Sequence, residues 1–299
     1  MIKLLDILNS FDTQPINECV IAYVNFNGKN ILCKNRDRIY VPKVKIIHEL
    51  SNEGLEMCYI YDEITDYSEG MNSNGLAIVN SALLVKDDEK AGKEISDKNI
   101  TSIQPDETEK GVKGFDGLKI RTALGTKSLK EALRSILIYT GKDEKDVGVK
   151  GFTMVTTPKS TYIVEATSEN LPIVTKIKPT TKVAIRTNHG IHHPDAGYLE
   201  GPKRVSSLSR YDFAKKYLQQ AKDENEILNI LKEKYTTDFN NPYRRGAKED
   251  MTTTSQLKMN VNDLTFNFRP DPDNCNFLGY ENKLPEGYKA KIKVILEND

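Results

Sequence analysis

The alternation of apolar and polar positions near the N-terminus predicts a β-hairpin. Residues 20–26 are rich in β-branched and aromatic side chains, and a second apolar run covers residues 31–33. Asn27 and Gly28 lie between these runs, and Asn-Gly is the preferred dipeptide of a two-residue hairpin turn. The pattern therefore predicts two antiparallel strands joined by a tight turn.

The turn also predicts the register of this hairpin. Paired positions have numbers that sum to about 55, and opposed side chains lie roughly 5 Å apart at Cβ. Cys19 then falls opposite Arg36, with Asp37 one step away. The sequence thus predicts a thiol, a guanidinium and a carboxylate in one small patch.

The remaining pattern predicts strands in antiparallel runs, with helices grouped between them. One helix begins at a capping box formed by Ser128 and Glu131 and ends at Gly141. Residues 86–115 are charged and predict a long surface loop. The other predicted helices cover residues 206–221 and 224–234, and the other predicted strands cover residues 41–49, 57–61, 72–85, 151–157, 161–166, 172–177, 182–186, 264–268 and 289–296. This order favours an α+β layered fold in a single domain over alternating βαβ units.

Composition narrows the classes of function. The 43 basic and 43 acidic residues cancel, which argues against a nucleic-acid role. No apolar run approaches the roughly 18 residues of a membrane span, and no secretory signal precedes the hairpin. The four cysteines form no CxxC pair, which is typical of free thiols in a reducing compartment. We therefore expect a cytoplasmic protein with no membrane partner, and leave a homo-oligomer open.

Four segments in order resemble the cysteine N-terminal-nucleophile (Ntn) hydrolases. They are Cys19 with the KNRD of residues 34–37, the EGMNSNGLAIVNSAL of residues 69–83, the RTNHG of residues 186–190 and the SSLSR of residues 206–210. The branch concerned includes choloylglycine hydrolases, isopenicillin N acyltransferase-like enzymes and dipeptidases. Val20 follows Cys19 where Thr or Ser is common in these enzymes, and Lys34 stands where bile-salt hydrolases carry an arginine.

The resemblance implies roles for five catalytic residues. Cys19 is the nucleophile and, once it is the first residue of the mature chain, its α-amino group is the general base. Asp37 orients this amine and the thiol, Asn80 and Asn188 donate to the oxyanion, and Arg210 holds Asp37 or the mature N-terminus. An α-amino group has an ordinary pKa of about 7.7–8.0, which suits a base near neutral pH. No organic cofactor and no metal is expected.

The resemblance also implies the fold and the reaction. We expect a four-layer αββα sandwich of two antiparallel sheets over residues 19–299, preceded by a propeptide of residues 1–18 that self-cleavage at Cys19 removes. The expected activity is hydrolysis or acyl transfer at a small amide, such as an N-acyl amine or an acyl amino acid, through a Cys19 thioester. A dipeptidase and an inactive ligand-binding homologue remain alternatives.

Each site residue also has a purely structural interpretation. Cys19 can be a core cysteine, Cys33 can be its rival in the hairpin, and Asp37 can form a surface salt bridge. Asparagines often satisfy backbone groups at strand ends, and an arginine in a helix is often solvated. His189, His192, His193 and Asp195 raise a further alternative, a zinc site, although their spacing fits no helical motif.

Overall fold

The computed structural model describes residues 17–38, 40–83, 115–137, 148–167, 171–245 and 251–297. Its first element is the predicted hairpin, formed by β1 (Asn17–Phe26) and β2 (Lys29–Arg38). Asn27 and Gly28 have φ values of 51° and 83°, as a type I′ turn requires. Cys19 pairs with Arg36, so the predicted register is confirmed.

The described strands form two sheets. The further strands are β3 (Lys43–Leu50), β4 (Glu56–Asp62), β5 (Tyr67–Asn72), β6 (Ala77–Ser81), β7 (Gly151–Thr156), β8 (Thr161–Ala166), β9 (Ile173–Lys176), β10 (Val183–Arg186), β11 (Thr252–Asn260), β12 (Thr265–Pro270), β13 (Asn276–Asn282) and β14 (Lys293–Leu296). The first sheet has the order β10-β1-β2-β11-β12-β14, and the second has the order β13-β3-β4-β5-β6-β7-β8-β9.

Helices cover the outer face of each sheet. They are α1 (Phe115–Leu124), α2 (Leu129–Leu137), α3 (Gly201–Leu218) and α4 (Ile227–Lys232), with short 3₁₀ turns at Glu224–Glu226 and Asp238–Asn240. The Ser128 hydroxyl accepts from the Glu131 N–H at 3.2 Å, which gives α2 the predicted cap, whereas Gly141 lies outside the described residues.

Three apolar clusters fix the order of the layers. The central cluster joins the inner faces of both sheets, with Ile21 and Phe266 from the first and Ile46 and Met154 from the second. A second cluster packs α1 and α2 against the second sheet. A third packs α3 and α4 against the first sheet. The fold is therefore the expected αββα sandwich.

The sheets are mixed rather than wholly antiparallel, which corrects the prediction. β14 lies parallel to β12, and β13 lies parallel to β3, in each case at a sheet edge. Both edge strands come from the C-terminal part of the chain, which returns across both sheets after β12. Parallel partners need a long connection, which both of these pairs have, whereas a tight hairpin turn such as that between β1 and β2 allows only antiparallel pairing.

The sequence pattern missed β11, which is a central strand beside β2. Its sequence TTTSQLKMN is mostly polar, yet every position is buried. The Gln256 amide donates to Asn35 Oδ1 and to Leu228 O, both at 2.9 Å, so the polar face packs on other polar groups. The sequence pattern also missed helix α1, which begins at residue 115, the last residue of the predicted loop. Residues 86–114 of that loop lie outside the described residues.

None of the helices in the described part of the chain has the length and apolar character that crossing a bilayer requires.

Candidate active site

Cys19 lies on β1 with its side chain between the two sheets. Side chains alternate across a strand, and Cys19, Ile21 and Tyr23 belong to the central cluster, whereas Val20 and Ala22 face α3 and α4. Cys19 is 1% exposed. A thiol at this position can react only with groups that reach the space between the sheets.

Three cations share the inner face with this thiol. Lys34, Arg36 and Arg38 alternate along β2 and all are buried. Arg38 Nη1 lies 3.5 Å from Cys19 Sγ. Arg38, rather than the directly paired Arg36, therefore supplies the guanidinium of the predicted patch, because the side chains lean along the strand.

Carboxylates and an aromatic ring compensate this positive charge in part. Lys34 Nζ forms a very short ion pair with Glu69, and Arg36 Nε lies 3.8 Å from the same carboxylate. The Tyr67 ring lies 5.7 Å from the Arg38 guanidinium carbon. Burial lowers the pKa of Lys34, although the Cys19 thiol and Glu69 oppose this effect.

Asp37 faces the opposite side of β2, toward α3, and shares that side with Glu18, its cross-strand partner. A bulge between Thr253 and Ser255 aims the Thr253 hydroxyl at Asp37 Oδ1, to which it donates at 2.7 Å. Strand alternation separates position 37 from positions 36 and 38, so in the uncut chain the Asp37 side chain lies on the other face of β2 from the Cys19 thiol; its role toward the mature amine and thiol stays a prediction.

Two buried arginines face these two carboxylates. Glu18 Oε2 lies 3.0 Å from Arg210 Nη2 and 2.7 Å from Arg244 Nη2. Asp37 Oδ2 lies farther from them, 3.7 Å from Arg210 Nη1 and 3.8 Å from Arg244 Nε. The Tyr198 hydroxyl also donates to Glu18, in a very short contact.

The different distances give the two carboxyls opposite pKa shifts. Burial raises the pKa of Glu18, but Arg244 and Arg210 outweigh it and hold that pKa below its ordinary value. Burial raises the pKa of Asp37 above its ordinary value, and the more distant arginines do not reverse this. Glu18 is therefore the better compensated anion of the pair.

Arg210 contacts the backbone of Cys19 directly, and Asn188 is linked to it through Arg210 and Ser81. Arg210 Nη1 donates to Cys19 O at 3.4 Å, and Nη2 donates to Asn188 Oδ1 at 3.0 Å. Asn188 Nδ2 lies 3.4 Å from Ser81 Oγ, and this hydroxyl lies 3.3 Å from Cys19 O. Arg210 is fully buried in α3 rather than solvated, and its Nη1 lies 3.7 Å from Asp37 Oδ2.

The Asn80 side chain does not join this cluster. Its amide donates to Lys150 O and to Thr153 Oγ1, both at 2.9 Å, so both amide hydrogens are occupied. Val79 belongs to the central cluster and Ser81 reaches Cys19 O, so alternation along β6 turns Asn80 away. Only its backbone oxygen faces the cations, where Lys34 Nζ donates to it at 2.5 Å.

Sequence reasoning missed Glu18, Ser81, Tyr198 and Arg244. Glu18 and Ser81 adjoin predicted site residues, so a period of two along β1 and β6 was a usable signal for the face each occupies. Tyr198 and Arg244 lie outside strands and helices, at either side of α3 and α4. No local pattern marks such positions.

The rival groups have structural contacts. Cys33 faces the helices, and burial raises its pKa to about 12. His189 Nδ1 lies 3.0 Å from Ser207 Oγ, and burial lowers its pKa to about 4. Glu165 accepts backbone N–H groups from residues 191–193, which holds the histidine loop. Within the described ranges, no group of three His, Cys, Asp or Glu side chains is arranged to hold a metal ion.

Two helix-covered sheets with a buried cysteine on a central hairpin define an N-terminal-nucleophile hydrolase fold. The profile of the family described as AAT, acyl-coenzyme A:6-aminopenicillanic acid acyl-transferase, matches residues 25–266. The chain belongs to this family of the cysteine Ntn hydrolases. The match includes Asp37, Asn188 and Arg210, whereas Cys19 precedes it. Membership supports an acyl-transferring or amide-cleaving activity.

Among solved structures, this chain is similar to that of penicillin V acylase from Agrobacterium tumefaciens. It is 12% identical over 84% of each chain, with a TM-score of 0.41. A search of curated protein sequences found no significant match.

Proposed function

We propose that this chain is a self-processing cysteine amidohydrolase or acyltransferase. Cys19 cleaves the Glu18–Cys19 bond, residues 1–18 leave, and the mature Cys19 attacks a small amide such as an N-acyl amine or an acyl amino acid. One observation carries the proposal: the buried Arg210 guanidinium contacts both residues that flank the bond to be cut, Glu18 Oε2 at 3.0 Å and Cys19 O at 3.4 Å.

Self-cleavage follows from attack of the Cys19 thiol on the carbonyl carbon of Glu18. A carbon–sulfur bond forms, the carbon–nitrogen bond to Cys19 breaks, and the departing nitrogen takes the proton. Water then hydrolyses the thioester, which leaves a carboxylate on Glu18 and a free α-amino group on Cys19. The Arg38 guanidinium, whose Nη1 lies 3.5 Å from Sγ, faces the sulfur that attacks in the first step.

The mature site then uses the new amine as its general base. Asp37 Oδ2 has no hydrogen-bond donor in the described part of the chain, so it can accept from this amine. The pKa of an ordinary α-amino group lies near 7.7–8.0, so a useful fraction is neutral at physiological pH. Asp37 therefore acts on the amine after cleavage rather than on the thiol before it.

Asn188 is the proposed oxyanion donor. Its Nδ2 group now donates to Ala82 O at 2.9 Å and lies 3.4 Å from Ser81 Oγ. Arg210 holds the amide oxygen at 3.0 Å, which fixes the orientation of the donor nitrogen. A donor of this kind contributes about 10²–10³ in turnover. Asn80 is left out of this role because its amide hydrogens face β7.

The thioester determines which reactions are possible. Water as the acceptor gives amide hydrolysis, and an amine as the acceptor gives acyl transfer. The family name pairs an acyl-coenzyme A with an amine, 6-aminopenicillanic acid, which supports the second possibility. No step requires a metal or an organic cofactor. A panel of N-acyl amines, acyl amino acids and dipeptides separates these reactions from a dipeptidase.

Intact mass spectrometry of the purified protein tests the proposal. We expect loss of residues 1–18 from the wild type and no loss from Cys19→Ala. Cys33→Ala is the matched control and should process like the wild type, because Cys33 faces the helices. An unprocessed wild type over a range of pH, with no labelling of Cys19 by an acylating probe, would instead indicate a ligand-binding homologue.

A further inference from the structure

Glu18 occupies a preformed carboxylate site. Its side chain is 2% exposed, and it contacts Arg244 Nη2 at 2.7 Å, Arg210 Nη2 at 3.0 Å and the Tyr198 hydroxyl. All three donors lie after position 19 and so remain with the enzyme after the proposed cleavage. The site therefore remains in the enzyme after Glu18 has left.

Other contacts hold these donors in place without Glu18. Arg244 Nη2 donates to Ser206 Oγ at 2.9 Å, and its guanidinium lies 4.9 Å from the centre of the Phe239 ring. Arg210 Nη2 donates to Asn188 Oδ1 at 3.0 Å. The two guanidinium groups thus stay aimed at the same point when the Glu18 side chain departs.

Departure of Glu18 leaves positive charge in this site. Two buried arginines then face one carboxylate, Asp37, at 3.7 and 3.8 Å. Arg210 Nε and both Arg244 Nε and Nη1 have no hydrogen-bond partner among the described residues. An unpaired buried charge is costly, so the emptied site favours entry of another anion.

The thioester linkage to Cys19 indicates how far from the acyl carbon a substrate should carry its carboxylate. The same Sγ atom carries the acyl carbon of Glu18 in the self-cleavage thioester and that of the substrate in the turnover thioester, so the two acyl chains start from the same atom. A substrate acyl chain as long as that of Glu18 can then reach the site that the Glu18 side chain leaves. In glutamate, the carboxylate is separated from the backbone carbonyl by three carbon atoms.

We propose, building on the function above, that the mature enzyme prefers amides whose acyl group carries a carboxylate at this distance. Glutaryl amides and α-glutamyl amides have this structure. Cys19 Sγ attacks the amide carbon, the amine leaves with a proton, and water hydrolyses the glutaryl or glutamyl thioester to the dicarboxylic acid. Arg244, Arg210 and Tyr198 bind the distal carboxylate, so Glu18 acts as an internal substrate mimic until release.

Paired substrates test this preference on the self-processed protein. Glutaryl and pentanoyl amides of one fluorogenic amine have acyl chains of the same length but differ in the terminal carboxylate. We expect kcat/KM to be on the order of 10²-fold higher for the glutaryl amide, as for other buried charge pairs. Succinyl and adipyl amides, one carbon shorter and longer, should react more slowly than the glutaryl amide.

Variants assign the preference to the site. Arg244→Met should remove most of the glutaryl preference, whereas Arg245→Met should keep it, because Arg245 is an exposed neighbour that donates to Lys232 O. A binding measurement on the wild-type protein does not depend on whether a variant folds. Glutarate should slow alkylation of Cys19 in the processed wild type, and pentanoate at equal concentration should not.

The possible failures are distinguishable. A protein that keeps residues 1–18 in the mass spectrum refutes the proposed function, and this inference with it. A protein that processes itself but cleaves pentanoyl and glutaryl amides equally, without protection by glutarate, refutes this inference alone. Retention of the preference in a folded Arg244→Met protein also contradicts it.

Discussion

Replacing Glu18 with Gln in the uncut protein should cause a large loss of stability. The Cys19→Ala background keeps residues 1–18 attached, so the measurement concerns one species. In the intact chain two buried guanidinium groups face two buried carboxylates, Glu18 and Asp37. Removing one negative charge leaves one positive charge without a partner in a site that water does not reach.

The burial of this ion pair sets the expected loss of unfolding free energy. Breaking a buried ion pair by removing one partner costs about 3–5 kcal/mol. Gln still offers an oxygen to Arg210 and Arg244, so we expect the lower end, about 3 kcal/mol of unfolding free energy. The effect should shrink as the pH falls below the ordinary Glu value of 4.5, because the folded pKa of Glu18 is lowered and its stabilisation is lost on protonation.

Urea unfolding at pH 7, followed by circular dichroism, measures this difference. Glu53→Gln is the matched control, since Glu53 is exposed and should change stability by less than about 0.5 kcal/mol. Adding Arg244→Met to Glu18→Gln should cost less than the sum of the single changes, since both remove the same pair. If Glu18→Gln matched Glu53→Gln, the two-arginine site would not hold Glu18 as described.

Three further predictions concern the neighbouring groups. Asn188→Ala should lower turnover by about 10²–10³, and Asn80→Ala should lower it by less than about tenfold, since the Asn188 amide contacts Ser81 and Arg210, which bind Cys19 O, whereas the Asn80 amide contacts Lys150 and Thr153. Thr253→Val should destabilise the Cys19→Ala protein by about 1–3 kcal/mol in urea, since Asp37 loses its hydroxyl donor. His189 has a pKa lowered to about 4, so wild-type stability should fall as the pH drops from about 6.5 to 4, and His189→Gln should flatten this dependence.

Each of these predictions has a contrary result. Equal turnover losses in the two asparagine variants would mean that the Asn80 amide turns toward the thiol during catalysis. An unchanged urea midpoint in Thr253→Val would mean that Asp37 is satisfied without that hydroxyl. A pH dependence that is the same in His189→Gln would mean that His189 takes up its proton equally in the folded and unfolded chains.

The local sequence pattern was sufficient to predict the hairpin and its register. The Asn27-Gly28 turn fixes which residues pair, because the turn has two residues and its positive φ values match the strand twist. The four motifs of the resemblance also identified the family, since they lie in order along the chain. The helix after Ser128 and the position of Cys19 on the hairpin follow from short-range information, whereas the αββα sandwich was implied by the resemblance.

Proximity along the hairpin was not enough to predict which face of a strand each side chain occupies. Position 37 was predicted beside the thiol because it adjoins position 36, yet alternation places Asp37 with Glu18 on the helix side. The same alternation brings Arg38 to Cys19 Sγ and turns the Asn80 amide toward β7. This part of the site was available from the sequence once the strands and their pairing were fixed.

The sequence by itself determined the hairpin, its register and the family. Only the tertiary structure decided which cations surround each carboxylate. Arg210 and Arg244 are separated from Glu18 by 192 and 226 positions, and β11 joins the sheet from a polar segment. Such contacts come from packing of distant elements around buried charge, which leaves no local signal in the chain. The charge compensation around Glu18 is therefore a property of the folded molecule.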